Sequence, residues 1–273
     1  EVDGLNWPAI SPDGKRVAYV SGNPSRLWIR DLDSTTPREI PDTDGARLPF
    51  WSAGSDEVGF MVEDEMRKVA ATGGPSLTLH KASRYIGNAT WRPDGMIIQR
   101  MNRSVGGSDL ATVSSQGGEP QVYLEPDSIR GEQWFLAPHV LPDGKTLIFV
   151  VVRTDWTYQL VVQVGDSLRV LVGTNRGGFI GSPVYASSGH LVYQRGSGAE
   201  ANIWALPFDA GSLEATGEPF IAAQKVFDPS VSLDGTLVYR SGSGGGDGQL
   251  VWTDKEGQVT GAIGQPKRIG PLS

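Results

Sequence analysis

Trp7–Ser21 reads W-P-A-I-S-P-D-G-K-R-V-A-Y-V-S, and the punctuation of this stretch decides how the chain folds. Pro8 opens it, Ser11-Pro12-Asp13-Gly14 sits in its middle, and an alternating apolar run through Tyr19 follows. Proline presets φ for the first corner of a turn, aspartate bonds back onto the backbone, and glycine accepts the positive φ of a tight reversal. The stretch is two short strands about a hairpin turn, not the start of a helix.

The same device returns at Pro49 (P-F-W-S-A-G-S-D), Ala89 (A-T-W-R-P-D-G), Pro138 (P-H-V-L-P-D-G), Pro183 (P-V-Y-A-S-S-G) and Pro229 (P-S-V-S-L-D-G). The intervals run from 40 to 49 residues, the range in which a fixed period marks small sheets repeated around an axis. Each copy carries further short apolar runs separated by polar reversals such as Thr72-Gly73-Gly74 and Gln116-Gly117-Gly118. No 3.6-residue periodicity persists for ten residues, so almost no helix is expected. Five of the six second strands carry an aromatic near their end, namely Tyr19, Phe60, Phe149, Tyr193 and Tyr239, a position suited to packing between neighbouring sheets. The third has Gln99 or Arg100 there.

These readings define an all-β chain, a six-bladed β-propeller of four-stranded antiparallel blades forming a single domain over 1–273. A radial arrangement buries both faces of every small sheet and leaves short outer edges. The blades fall near 5–46, 47–82, 83–127, 128–174, 175–223 and 224–266, with 267–273 as a closing strand or the first strand of a next blade. A seven-bladed ring, or an open fragment of a longer propeller, is the alternative, and the chain reads as a segment of a longer protein.

Composition narrows the function. A net charge of -7 and a pI near 5.0 argue against a nucleic-acid or anionic-membrane partner for the surface as a whole. Cysteine is absent, which removes disulfides, thiolate metal sites and cysteine nucleophiles, and is compatible with an oxidising compartment. The longest apolar runs, Leu147 to Val152 and Leu160 to Val164, are too short to span a bilayer.

The Ser-Pro-Asp-Gly turns, followed by K-R-V-A-Y and L-W-I-R-D-L-D, resemble the TolB-type, WD-like propeller repeat of bacteria. The order of P-F-W-S, A-T-G-G-P, S-S-Q-G-G-E-P, L-P-D-G-K, L-P-F-D-A, T-G-E-P-F and Y-R-S-G-S-G-G-G is similar to the propellers that follow the kinase domain in many bacterial serine/threonine protein kinases. The resemblance covers essentially the whole chain. Ser52-Ala53-Gly54-Ser55 and Ser187-Ser188-Gly189 depart from the turn motif. What the resemblance implies is a sensory or accessory region of a membrane-tethered kinase, periplasmic or otherwise extracytoplasmic, with a cytoplasmic location as the alternative.

No catalytic constellation stands out. His80, His139 and His190 fall in different copies without metal-binding spacing and read as packed or surface residues, His139 on a first strand where it can face the axis. Gly-x-Ser-x-Gly is absent. Gly242 to Gly248 reads as a hairpin loop and Asp42-Thr43-Asp44-Gly45 as a polar turn. Asp13, Asp94, Asp143 and Asp234 read as turn residues. The pattern above this background is a cation in each loop leading into a first strand: Arg47, Arg84, Arg130, Arg176, Lys225 and Arg268. Gathered at the channel mouth they make a basic rim for a protein or peptide partner of acidic character, against the competing reading of ordinary loop solvation. Trp134, in the long loop Asp127 to Ala137, is a candidate contact residue unless it tucks against its blade. No catalytic residue, metal or cofactor is assigned. The runner-up is a propeller hydrolase or lactonase with an axial metal, or the propeller cap of a serine peptidase.

Overall fold

The structure is a computed structural model that describes residues 7–34, 36–81, 86–241, 247–253 and 259–268, the last two segments by their backbone. The first sheet is β1 (Ala9–Ile10), β2 (Arg16–Ser21), β3 (Arg26–Asp31) and β4 (Arg38–Glu39). The second is β5 (Ala46–Trp51), β6 (Glu57–Val62), β7 (Glu65–Ala70) and β8 (Leu77–Lys81), and the third β9 (Ile86–Trp91), β10 (Met96–Asn102), β11 (Ser108–Ser114) and β12 (Gln121–Leu124). The fourth is β13 (Glu132–Val140), β14 (Leu147–Arg153), β15 (Tyr158–Val164) and β16 (Ser167–Gly173). The fifth is β17 (Ile180–Ala186), β18 (His190–Arg195), β19 (Asn202–Asp209) and β21 (Phe220–Gln224), with β20 (Glu214–Ala215) adding a short ladder to β19. Two antiparallel pairs follow, β22 (Val226–Val231) with β23 (Leu237–Ser241) and β24 (Asp247–Thr253) with β25 (Val259–Arg268). Neighbours in each sheet are antiparallel and consecutive except that β19 also pairs β21; a parallel bridge, Ser108 to Trp134, joins the third sheet to the fourth. Among the described residues, helix is confined to two 3₁₀ turns, Ser128–Arg130 and Gly198–Glu200.

The turn between first and second strands is built alike in all six copies. The N–H of Gly14, Ser55, Gly95, Gly144, Gly189 and Gly235 donates to the carbonyl three residues earlier at 2.9–3.1 Å. Five of these positions are glycines at φ between 72° and 90°, and Ser55 holds φ 62°. The departures from S-P-D-G therefore keep the geometry. In the standard copies the aspartate carboxylate ties the turn down by accepting backbone N–H bonds, from Lys15 to Asp13 at 3.1 Å and from Lys145 and Thr146 to Asp143 at 2.9 Å.

Packing shows how the sheets stand. Five clusters of buried apolar side chains form in chain order, each drawn from two consecutive sheets. The recurring aromatics fill them: Phe60, Phe149 and Tyr193 are fully buried, each worth about 1.5–3 kcal/mol. Gln99, in the copy without an aromatic, is equally buried and bonds His80 Nε2 of the preceding sheet at 3.1 Å. Sheets stacked face to face in sequence leave one strand of each at the centre. Across 220 residues of chain, the Ile10 N–H donates to Ser230 Oγ at 3.0 Å, and the Leu233 N–H to the Pro12 carbonyl at 2.8 Å. The first sheet thus touches the strand pair β22–β23, with no ladder between them among the described residues.

Candidate functional site

β1, β5, β9, β13, β17 and β22 all contribute to the wall of one cavity of about 480 Å³. Its shape follows from the start of each first strand. In the second, fourth, fifth and sixth copies the ladder skips the residue before the proline and the proline itself. Leu48, Ala137, Ser182 and Asp228 hold φ of 48–57° at that bulge. Proline fits the looped-out position because no ladder partner awaits an N–H there. The bulge places the residue–proline pair on the cavity wall. One end of the lining is Trp7, Leu48, Asn88, Ala137, Ser182 and Asp228; the other is Pro12, Ala53, Pro93, Pro142 and Leu233, from the turns.

The residues after the prolines, and after Ala89 in the third copy, stitch neighbours together. Thr90 Oγ1 accepts from the Val140 N–H at 3.3 Å, His139 Nε2 from the Tyr185 N–H at 3.2 Å, and Ser230 Oγ from the Ile10 N–H at 3.0 Å. Trp51 Nε1 donates to the Ala9 carbonyl at 2.8 Å, and the Phe50 and Trp91 rings meet at 6.1 Å. Val140, Tyr185 and Ile10 occupy one register position, so a single backbone donor is met repeatedly by whatever acceptor the previous sheet offers. Acceptance at Nε2 requires a neutral His139 with its proton on Nδ1. Burial agrees, lowering its pKa to about 4. Asp228 carries the carboxylate on the wall. Burial raises its pKa, and Arg240, at 3.1 Å, opposes the rise. Arg240 itself lies over the Phe227 ring at 4.1 Å. Among the described residues no three His, Asp or Glu side chains converge as a metal site would require.

The rim cations are less uniform than their spacing suggests. Arg47 is the second residue of β5 and its guanidinium donates to the Glu63 carbonyl. Arg130 ends the Ser128–Arg130 turn, 3.3 Å from Asp127, whose carboxylate also caps that turn. Arg176 is exposed and makes no ion pair with the described residues. Lys225 holds φ 57° and its N–H donates to Asn202 Oδ1. Arg84 lies outside the described residues, and Arg268 ends β25 rather than standing in a connecting loop. The long loop is also shorter than the sequence suggests, because β13 begins at Glu132 and already pairs Trp134 with Val152. Trp134 is half-buried and stacks on the exposed Trp156 ring at 5.1 Å. Trp156 and the pairing of Asp228 with Arg240 escaped the sequence reading. Only the recurrent residue–proline pair signalled a shared wall position.

No protein-family model matches the chain, and no curated protein sequence matches it. Solved structures do. TolB from Acinetobacter baumannii superimposes with a TM-score of 0.61 at 18% identity, over 76% of this chain and 52% of that one. A putative TolB from Agrobacterium tumefaciens gives 0.63 at 18% identity, over 88% and 90%. The β-propeller domain of the Trilobed protease from Pyrococcus furiosus, described as having an open velcro topology, gives 0.57 at 14% identity, over 85% and 76%. The chain thus spans about half the length of the Acinetobacter protein. With the sheets standing side by side about an axial cavity, these likenesses define a TolB-like β-propeller fold.

Proposed function

We propose that the chain is a non-catalytic recognition scaffold, a six-bladed ring that presents its axial cavity and loop rim to a protein, peptide or small ligand. The observation that carries this reading is the employment of the wall's reactive groups in holding the ring. His139, Thr90 and Ser230 are spent on neighbouring backbone N–H groups, and Asp228 on Arg240. A general base needs a free lone pair within reach of its proton, and a nucleophile needs such a base beside it. Six copies of the first strand around one cavity support the blade count. The kinase association and extracytoplasmic placement rest on the motif order and the absence of cysteine.

Titration of an acidic probe, poly-glutamate, tests the rim: Arg130→Glu with Arg176→Glu is expected to weaken binding several-fold at low salt and little at high salt. Equal binding by wild type and variant removes the rim. Turnover of an ester or lactone substrate that is abolished by His139→Gln or Asp228→Asn overturns the non-catalytic reading. The reading frame that encodes the chain tests the remainder, with a kinase domain and an apolar span ahead of residue 1 as the expected result.

A further inference from the structure

The cavity wall has a chemistry of its own. Trp7, Phe50, Trp51, Trp91 and Tyr185 supply aromatic rings, and Pro8, Pro49, Pro138, Pro183 and Pro229 supply flat aliphatic ones. A volume of about 480 Å³ is in the range of small-molecule sites, which are mostly apolar with a few placed polar groups. Those groups lie at one end. Asn88 and Ser182 line the cavity, and neither side chain makes a hydrogen bond with the described residues. Asp228 stands at the same level of the repeat.

Charge narrows the occupant. His139 is neutral, as its acceptor role demands. The Asp228 carboxylate and the Arg240 guanidinium cancel at 3.1 Å. Lys68 Nζ already sits 5.9 Å from the Trp91 ring centroid. A charged ligand entering here gives up its hydration without an uncompensated counter-charge to meet it. A neutral ring loses little on desolvation and gains contact with flat walls.

We propose that the axial cavity binds a small, uncharged, ring-bearing molecule, its flat body against the tryptophan and proline wall and a hydrogen-bond donor directed at Asn88 and Ser182. The inference rests on the recognition reading above and specifies the ligand of that site. Asn88 carries an acceptor oxygen, and the Ser182 hydroxyl both donates and accepts. A site with such groups discriminates against an analogue lacking the partner, because the wall group is then left dry and unpaired.

Calorimetric titration of the whole chain with four probes sharing one ring tests this: indole, 1-methylindole, tryptamine and indole-3-acetate. Indole is expected to bind about tenfold tighter than 1-methylindole, which lacks the donor, and tighter than the cationic and anionic probes. Asn88→Ala with Ser182→Ala is expected to bring indole down to the affinity of 1-methylindole, leaving 1-methylindole and the thermal midpoint unchanged. Tighter binding of tryptamine or indole-3-acetate overturns the uncharged class while the recognition reading stands. Binding of none of the four, or indole affinity indifferent to the double variant, removes the site. Chemical conversion of a probe defeats this inference and the non-catalytic reading together.

Discussion

His139 serves two ends at once, as a wall residue of the cavity and as the acceptor that holds β17 against β13. Its folded pKa of about 4 lies below the 6.5 of the free side chain, and burial alone is the cause, without a charged neighbour. Between those values the unfolded chain binds a proton that the folded chain refuses. The stability His139 contributes is therefore complete above pH 6.5 and is lost as pH falls toward 4. At 1.36 kcal/mol per unit the loss is at most about 3 kcal/mol, an upper bound because one side of the ring faces the cavity. Urea unfolding at pH 7.5 and pH 4.5 should show the drop in the wild type. It should be shallower in His139→Gln, which keeps an acceptor for the Tyr185 N–H without a titrating group. Equal pH dependence in both proteins would assign the acid sensitivity elsewhere.

The turns and the bulges, at the scale of elements, differ in what can be read ahead of the structure. The Ser-Pro-Asp-Gly turn was legible because every residue it needs lies within it: Gly14 takes φ 72°, Asp13 accepts the Lys15 N–H, and the bond closes on Ser11. Even Ser55 in a glycine's place left the hairpin intact. The antiparallel order of the first four sheets followed from the same punctuation, whereas the sixth copy forms two separate strand pairs and the fifth sheet carries the extra strand β20. The bulge was not legible, because it is set by the pairing register of the partner strand rather than by the local residues. Nor was Trp156, which reaches Trp134 from another hairpin, nor the Asp228–Arg240 pair, which joins β22 to β23. The bulge makes a prediction at Ala137, held at φ 48° and nearly buried. A β-branched side chain in that conformation is strained by about 1–3 kcal/mol, whereas glycine adopts it freely at the expense of unfolded-state entropy. Ala137→Val should lower the midpoint of urea unfolding clearly, and Ala137→Gly should leave it nearly unchanged. The reverse order would mean that packing, not backbone conformation, governs the position.

For the whole molecule, stacked sheets contact chiefly their neighbours, so stability resembles a sum of unit and interface terms. The interfaces are unequal. Packing of large apolar residues joins the fourth sheet to the fifth, with Ile148, Val150, Leu160, Ile180, Leu191 and Tyr193 all buried. Among the described residues, the first sheet meets β22–β23 through a two-residue strand and hydrogen bonds at Ile10 and Leu233. Local opening draws on the interface with the fewest buried contacts. Amides of Ile10 and Leu233 should therefore exchange with deuterium well before those of β14, whose residues from Leu147 to Val152 are buried without exception. Ser230→Ala removes the acceptor for Ile10 and costs about 1 kcal/mol at that seam. Exchange at Ile10 should accelerate about fivefold in the variant while β14 keeps its rate, since opening there does not pass through the seam. Uniform acceleration across both segments would mean that the ring opens only as a whole, and that the weak junction between first and last units is an energetic part of every other interface.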